Sequence, residues 1–268
     1  MKEYCRKTCN FCSPTVAIPK CRDKRKRKCK RYAKFQGYCT VYKDYMSEMC
    51  PRSCRFCGVA VVNKKIAYKV YNEKYEFAIK TMWDGSPINH DPIKIKLSAE
   101  DNLNVRLEVS GPFFDQPGKP PCLAGQPCWR LWEYEVAEVF FLGDKQKYLE
   151  LEVSPHGPHL LLLLDGVRKP FKTKLPMRYS ATIDNIKKTW NGTAIVPIDY
   201  FPPNMRKINA YAIHGPDNSK VYQALYPAKG TLHPDFHQLK FFQDFDFKSM
   251  FPQAWTAQPM SPFWVDRN

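Results

Sequence analysis

The segment LWEYEVAEVFFLGDKQKYLELEVSPHG, residues 131–157, followed by the apolar run at residues 160–164, decides the fold. Residues 132–141 alternate between two faces with a period of two, which predicts a β-strand. The polar interval 143–146 is short enough to reverse the chain, and apolar residues then alternate with glutamates over residues 148–154. We therefore expect a β-hairpin whose second strand has one face in water.

The run LLLLL at residues 160–164 is too short for a helix with its own caps and is bounded by turn residues on both sides. It predicts a strand that is buried on both faces. Many short strands, frequent proline and little helical periodicity elsewhere predict an all-β, antiparallel β-sandwich. The other predicted strands cover residues 75–82, 93–97, 105–109, 179–186, 190–197, 208–213 and 221–225.

The positive charge of the chain is concentrated at its front. The net charge is +16, but residues 1–65 hold 18 Lys/Arg against 4 Asp/Glu, while the rest holds 24 against 22. We therefore predict no nucleic-acid partner for the large domain. The densest basic run, residues 24–28, fits a solvated loop or a contact with anionic cell-surface glycans. No run of about 18 apolar residues is present, so we predict no membrane span.

Nine of the eleven cysteines lie before Gly58. This density indicates disulfides in an oxidising compartment, with metal binding as the alternative. Because this region has no histidine and only two C-x2-C steps, zinc fits less well. We predict a secreted protein with no metal and no other cofactor. The two remaining cysteines, Cys122 and Cys128, lie in one loop, where we expect a local bridge.

An internal repeat sets the domain layout. Residues 1–12 align with residues 46–57 through a shared C-x3-C-x2-C spacing, but three further cysteines precede only the second copy. The first copy therefore reads as the end of an earlier module. The predicted layout is a module remnant at 1–12, a linker at 13–20, a six-cysteine module at 21–57, a linker at 58–74 and the sandwich at 75–268.

The six-cysteine unit resembles the ShK-type toxin (ShKT) domain of sea-anemone potassium-channel blockers. Spacing alone leaves fifteen pairings open, and the resemblance implies the bridges Cys21–Cys57, Cys29–Cys50 and Cys39–Cys54 in a small module with a short helix. The toxins plug the pore with a Lys-Tyr pair, whereas this chain has Asp44 and Tyr45 there, with Lys43 one residue before. Because Asp44 is anionic, we interpret the module as an interaction unit. Channel binding through Lys43 and Tyr45 is the alternative.

The large domain carries several distinctive short segments: Trp83-Asp84-Gly85, Gly111-Pro112-Phe113-Phe114, Leu131-Trp132-Glu133-Tyr134-Glu135, Pro155-His156-Gly157, Ala212-Ile213-His214-Gly215 and Pro234-Asp235-Phe236-His237. Together they resemble an uncharacterised family, the chromosome 4 open-reading-frame-33 type, over about residues 77–264. More distantly, the domain is similar to family-nine carbohydrate-binding modules and DOMON-like sandwiches. This implies two sheets of about five strands, with sugar or haem binding as the known uses.

Candidate ligand contacts follow from side-chain chemistry. Flat aromatic rings stack on sugars, and charged or polar side chains bond to hydroxyl groups. The alternative is that the aromatic rings are core residues and the histidines bond to turns. The predicted ligand-binding residues are Trp83, Arg130, Trp132, Glu135, Glu138, His156, His159, His214 and Tyr226.

Three glutamates on the first hairpin strand raise two further expectations. Glu138 lies between Val136 and Phe140 on one strand face, and a buried unpaired carboxylate costs several kcal/mol. We therefore expect Arg106, Arg130 or a histidine as its partner. Glu133 and Glu135, about 7 Å apart on one strand face by strand rise, suit the two acids of a glycan hydrolase. No nucleophile elbow or phosphate-binding loop is present.

The sequence favours a secreted, non-catalytic protein whose sandwich binds a glycan or another small polar ligand. The alternatives are a toxin-like channel modulator that acts through the small module and an unrecognised glycan hydrolase. The sequon Asn191-Gly192-Thr193 predicts a glycan on Asn191 in a secreted protein.

Overall fold

The computed structural model describes residues 22–24, 27, 29–30, 50, 52–54, 74–101, 104–250, 261 and 263–264. The chain forms two compact units, Met1–Ile66 and Ala67–Asn268. The division between them lies inside the linker expected at 58–74. Within the described residues, no helix has both the length and the apolarity that a bilayer crossing requires.

The first unit is held together around a buried disulfide. Cys29 and Cys50 are bridged, with their Cα atoms 5.1 Å apart, and each is 1% exposed. Asp23 accepts hydrogen bonds from the Ser53 hydroxyl at 2.7 Å and from the backbone N–H groups of Ser53 and Arg52, both at 3.0 Å. Together these bonds lower its pKa. The described residues do not include Cys21, Cys39 or Cys57, so the expected bridges Cys21–Cys57 and Cys39–Cys54 lie wholly or partly outside them. The channel candidates Lys43 and Tyr45 also lie outside the described residues.

The second unit contains thirteen strands in its described part. They are β1 (Lys74–Ile79), β2 (Thr81–Met82), β3 (Ile93–Asp101), β4 (Asn104–Pro112), β5 (Val136–Leu142), β6 (Lys147–Val153), β7 (His159–Asp165), β8 (Pro170–Lys172), β9 (Arg178–Asp184), β10 (Thr189–Pro197), β11 (Lys207–His214), β12 (Val221–Ala224) and β13 (Gln243–Asp244). Single-turn 3-10 helices lie at Leu131–Glu133, Asp144–Gln146, Ile198–Tyr200, Leu239–Phe241 and Phe247–Ser249.

The strands form two antiparallel sheets, as the sequence predicts for a β-sandwich. The first sheet has the order β1-β3-β4-β10-β9, and the second has the order β2-β12-β11-β5-β6-β7-β8, with β13 also paired to β11. The second sheet therefore has eight strands among the described residues, not about five. The short strands β2, β8 and β13 account for the difference.

The two sheets differ in how they are buried. In the first sheet only one face is buried, because apolar residues such as Ile95 and Leu107 alternate with charged ones such as Lys94 and Arg106. In the second sheet, β5 and β6 are buried at every position. One face of the second sheet packs on the first sheet, and the other is covered by loop segments. The candidate functional site lies on this covered outer face.

The prediction that the second hairpin strand has one face in water is wrong. Glu150 is only 4% exposed and Glu152 is fully buried, because Trp132, Tyr222 and the segment around Phe236 cover that side of the sheet. The first hairpin strand also begins later than predicted. Arg130 adopts φ 65°, residues 131–133 form a 3-10 turn, and β5 starts only at Val136.

Candidate functional site

A cavity of about 410 Å³ lies on the covered face of the second sheet. Its floor is formed by residues that neighbouring strands present to the same side. Glu138 on β5 faces Glu152 on β6 and Tyr211 on β11, and Glu150 on β6 faces Leu162 on β7. The period of two in each strand therefore places acidic and apolar side chains side by side on one surface.

Three carboxyl groups lie buried on this surface. The residues Glu138, Glu150 and Glu152 are 2%, 4% and 0% exposed. Oε2 of Glu150 and both carboxyl oxygens of Glu152 have no partner at hydrogen-bond geometry in the described part of the chain. Burial raises the pKa of Glu150 to about 8. Burial and the neighbouring acids raise the pKa of Glu138 and Glu152 well above the ordinary value, which disfavours their charged forms.

An aromatic wall stands beside these acids. The rings of Trp129 and Trp132 meet edge to face with centroids 5.2 Å apart, and Trp129 is 43% exposed. The predicted Cys122–Cys128 bridge is present one residue before Trp129, and the Cys128 N–H donates to the His159 carbonyl at 2.8 Å. The bridge and this hydrogen bond together fix the base of the wall against β7.

The opposite wall is polar and connects distant parts of the chain. Arg168, after β7, donates to Asp235 at 2.6 Å, and the His237 N–H donates to the same oxygen at 2.9 Å. Burial lowers the pKa of His237 to about 4, so its ring is neutral. Its Nδ1 accepts the Tyr148 hydroxyl at 2.8 Å, and that hydroxyl accepts the Arg168 N–H at 3.0 Å.

Phe236 closes the cavity from above. It stacks on Tyr211 with ring centroids 4.0 Å apart and planes 9° apart. Tyr211 is the residue that faces Glu138 across the β5–β11 pair. The segment at 234–237 therefore covers the acidic floor directly.

Of the nine predicted ligand contacts, Trp132 and Glu138 line the cavity. The predicted partners of Glu138 are wrong for both arginines, because Arg106 pairs with Glu100 and Arg130 with Glu133. After burial, the charge that acts on Glu138 is that of another acid, Glu150, and it raises the pKa of Glu138 further.

The cavity does not include the other predicted residues. Glu135 accepts the backbone N–H groups of Phe114 and Asp115, and burial raises its pKa to about 7. It therefore holds a loop in place. Because Glu133 lies in a 3-10 turn and pairs with Arg130, the two glutamates do not form the strand-face pair expected for a hydrolase. The outward position of Asn191 on β10 leaves its side chain exposed.

Four of the other predicted residues do not line the cavity and have different contacts. Trp83 packs against the apolar cluster on this face of the sheet. His156 lies 3.2 Å from an Asp115 carboxyl oxygen. His159 is fully buried, and burial lowers its pKa to about 4. The half-buried Tyr226 donates its backbone N–H to Asn209.

His214 belongs to a separate cluster. Its ring stacks on Phe114 at 3.6 Å, and its Nε2 lies 3.2 Å from Nε2 of the buried Gln223, which also contacts His90. Burial lowers the pKa of His214 to about 4. Among the described residues, no group of three or more His, Cys, Asp or Glu side chains is arranged to hold a metal ion.

Sequence reasoning missed Trp129, Glu150, Arg168, Asp235 and His237 as cavity residues. One signal was available for Glu150. The run at 160–164 was predicted to be buried on both faces, and a strand paired with it shares those faces. Because β6 is that strand, the glutamates on β6 had to be covered as well. Arg168 and Asp235 carry no such local signal.

Comparison with known proteins divides the chain in the same way. An ShK domain-like family model matches residues 1–12 and 20–57. The mouse UPF0462 protein C4orf33 homolog is 42% identical over 195 residues, which cover 70% of this chain and 100% of the mouse protein. The human UPF0462 protein C4orf33 is 41% identical over 196 residues, covering 71% of this chain and 96% of the human protein.

Two solved structures are similar at lower levels. A proposed carbohydrate-binding protein from Bacteroides uniformis has 15% identity and a TM-score of 0.48, covering 64% of this chain and 84% of that protein. A family-nine carbohydrate-binding module from Caldicellulosiruptor kristjanssonii, in complex with cellotriose, has 8% identity and a TM-score of 0.39. That match covers 65% of this chain and 80% of the module.

Proposed function

The chain belongs to the UPF0462 (C4orf33) family, and we propose that the large domain of this member is a non-catalytic binding domain. Its ligand is a sugar or another small hydroxyl-rich molecule held in the cavity above Glu138. We further propose that the protein is secreted and that its basic ShK-like module is an interaction unit for anionic cell-surface glycans.

One observation carries this proposal: an aromatic pair, the exposed Trp129 and the partly buried Trp132, lines the same cavity as Glu150, a buried residue with a carboxyl oxygen that lacks a partner among the described residues. Trp129 and Trp132 offer faces on which a sugar ring stacks. Glu138 and Glu150 offer hydrogen bonds to ring hydroxyls. Such ligand sites are concave and largely apolar, with a few polar groups that fix orientation.

The placement of the acids supports binding over hydrolysis. The two carboxyl groups of a glycosidase flank the scissile bond. Here Glu138, Glu150 and Glu152 all rise from one sheet surface, and Glu138 directly faces Glu152 across neighbouring strands. A sugar above this floor meets these three acids from one side, and the acid on the opposite wall, Asp235, is already paired with Arg168.

The secreted location is supported by the disulfides. Cys29–Cys50 and Cys122–Cys128 are both formed, and bridges of this kind persist in oxidising compartments. The bridge beside Trp129 also ties the proposed site to such a compartment. The basic front region, with a net charge of +14 over residues 1–65 (18 Lys/Arg minus 4 Asp/Glu), suits an anionic surface.

The test is a glycan array with the oxidised full-length chain, followed by titration calorimetry with the best binder. We expect Trp129→Ala and Trp132→Ala to weaken binding by at least about tenfold. The matched control is Phe171→Ala, because Phe171 is 43% exposed like Trp129 and does not line the cavity. Absence of binding to every sugar, or equal losses in Phe171→Ala, would overturn the proposal.

A further inference from the structure

The cavity floor holds more acid than a neutral sugar requires. Glu138 and Glu150 line the cavity, and Glu152 lies opposite Glu138 on the neighbouring strand; all three residues are at least 96% buried. Hydroxyl groups are satisfied by neutral acceptors as well as by acids. A cluster of buried acids lowers stability unless a charge or a proton compensates it. A ligand that carries a positive charge would therefore compensate these buried carboxyl groups.

The surrounding side chains supply only part of that charge: the positive charge of Arg168 lowers the pKa of Glu150, against the larger effect of burial. Arg168 is the only described cation that lines the cavity, and it donates to Asp235 on the opposite wall. His237 is neutral and is bonded to the Tyr148 hydroxyl. From β11, the neighbour of Glu138 is the phenol of Tyr211. The described lining of the cavity thus has three acids, Glu138, Glu150 and Asp235, for one cation, and Asp235 is the acid that pairs with it.

The aromatic residues add a second observation in favour of a cation. Trp129, Trp132, Tyr222 and Phe236 all line the cavity. An ammonium group within about 6 Å of such a ring face is attracted by the ring quadrupole. Rings on the walls and acids on the floor form a combination that suits an organic cation. Oε2 of Glu150, without a partner among the described residues, is available to receive its hydrogen bond.

We propose that the cavity selects a sugar that carries a protonated amine, an amino sugar, whose ammonium group lies against Glu138 and Glu150 and displaces one carboxyl proton. This inference rests on the proposed function and specifies its ligand class. The proton balance is simple. The ligand enters as R–NH3+, one carboxylic acid becomes a carboxylate, and its proton leaves to the solvent.

The exchange makes binding depend on pH. Because the pKa of Glu150 is raised to about 8, the free protein holds its proton near neutrality. Binding that releases one proton therefore strengthens by up to about tenfold when the pH rises from about 6 to 7. The other titratable or charged groups around this site are Glu138 and Glu152 on the sheet, Arg168, Asp235 and His237 on the opposite wall, and the phenols of Tyr148 and Tyr211. Of these, Arg168 lowers the pKa of Glu150 and so opposes the larger effect of burial.

The experiment is calorimetry of the oxidised full-length chain with glucosamine, N-acetylglucosamine and glucose at about pH 6 and pH 7. Each titration is repeated in two buffers with different ionisation enthalpies, which counts the protons released. We expect glucosamine to bind at least about tenfold more tightly than N-acetylglucosamine and to release about one proton.

Variants separate the acid cluster from general effects. Glu150→Gln and Glu138→Gln should each reduce the ratio of glucosamine to N-acetylglucosamine affinity toward one, and thermal unfolding checks that each variant folds. Glu76→Gln is the control, because Glu76 pairs with Lys96 on the other sheet and its side chain is 70% exposed. It should keep the ratio unchanged.

The outcomes distinguish this inference from the proposed function. Equal affinity for the three sugars, without proton release, overturns the amine preference and leaves sugar binding intact. Absence of binding to all three overturns the amine preference, and absence of binding to every sugar of the glycan array also overturns the proposed function. A ratio that stays high in both glutamine variants overturns the assignment to these acids.

Discussion

Single buried carboxyl groups make the stability of the large domain depend on pH. The pKa of Glu150 is raised from 4.5 to about 8 by burial, so the folded state binds more protons than the unfolded state between these values. The stability that Glu150 contributes is therefore present below about pH 4.5 and is lost as the pH rises toward 8. The slope is about 1.4 kcal/mol per pH unit for one such group.

We expect the thermal midpoint of the wild type to decrease as the pH rises from 5 to 8. Because glutamine does not titrate, the decrease should be smaller in Glu150→Gln. Calorimetric unfolding scans across that range measure the effect. The exposed Glu76→Gln serves as the control and should follow the wild type. Parallel curves for wild type and Glu150→Gln would contradict the assignment.

Gly143 is required by space rather than by backbone conformation. Its φ of −110° suits any residue, but an added Cβ would lie 2.2 Å from the Pro203 carbonyl oxygen. We expect Gly143→Ala to lower the free energy of unfolding by about 1–3 kcal/mol, measured by urea denaturation. Ile186→Ala, at a 96% exposed side chain, should change it by less than about 0.5 kcal/mol. Equal effects would exclude the contact with Pro203 as the cause.

At the residue scale, sequence reasoning identified Glu138 as buried because it lies between Val136 and Phe140. It could not find the neighbours of Glu138, because these depend on strand register. Glu152 and Tyr211 face it from strands whose pairing is set by the whole sheet. Arginine partners were expected from charge alone, and charge alone does not say which side chains meet.

At the scale of elements, the two faces of β7 have different roles: one contributes to the stability of the domain, and the other lines the cavity. Leu161 is fully buried and is not among the cavity residues, whereas Leu162 lines the cavity. We expect Leu161→Ala to lower the free energy of unfolding by about 2–5 kcal/mol and to leave ligand affinity unchanged. Leu162→Phe should fill the cavity and weaken binding by at least about tenfold. Urea unfolding and calorimetry measure the two effects, and loss of binding in both variants would contradict this division.

The Cys122–Cys128 bridge is a second element with a separable role. Because it precedes Trp129 directly, replacing both cysteines by serine should loosen the aromatic wall and weaken ligand binding, with a stability loss of about 2 kcal/mol. Calorimetry with and without reductant measures this. Reductant should weaken binding in the wild type but not in the double variant. Equal affinity in both proteins would contradict a role for the bridge.

The pattern of elements was largely predictable because a period of two is a local property. The predicted strands at 93–97, 105–109, 190–197 and 208–213 fall within β3, β4, β10 and β11. The start of β5 was placed too early. Alternation continues through Trp132 and Tyr134, but the left-handed backbone of Arg130 and the 3-10 turn after it interrupt the strand. Two-residue strands such as β2 and β13 carry too few residues to show any period.

At the scale of the whole molecule, the chain consists of two units with different sources of stability. The front unit depends on disulfides, whereas the second has a buried core of two sheets. The mouse relative corresponds over its full length to the matched 195 residues. We expect a fragment of residues 67–268 to fold with the thermal midpoint of the large domain in the full chain and to bind the same sugars. A fragment that folds but does not bind, while the full chain binds, would place part of the site elsewhere.

This two-part layout was visible in the sequence because cysteine spacing, charge and periodicity all change between residues 57 and 75. The cavity was not, because its walls come from segments that are far apart in the chain. Arg168 and Asp235 are 67 positions apart, and Tyr148 and His237 are 89 apart. These residues come together only when the whole domain has folded.

The cover over the acidic floor comes from late in the chain, and this affects how the protein is made. While a ribosome has produced only the strands up to β7, Glu138, Glu150 and Glu152 still face solvent as hydrated anions. When Phe236 reaches Tyr211, these side chains must leave water and take up protons. Because this closure is coupled to proton uptake, we expect the covered state to be favoured as the pH falls.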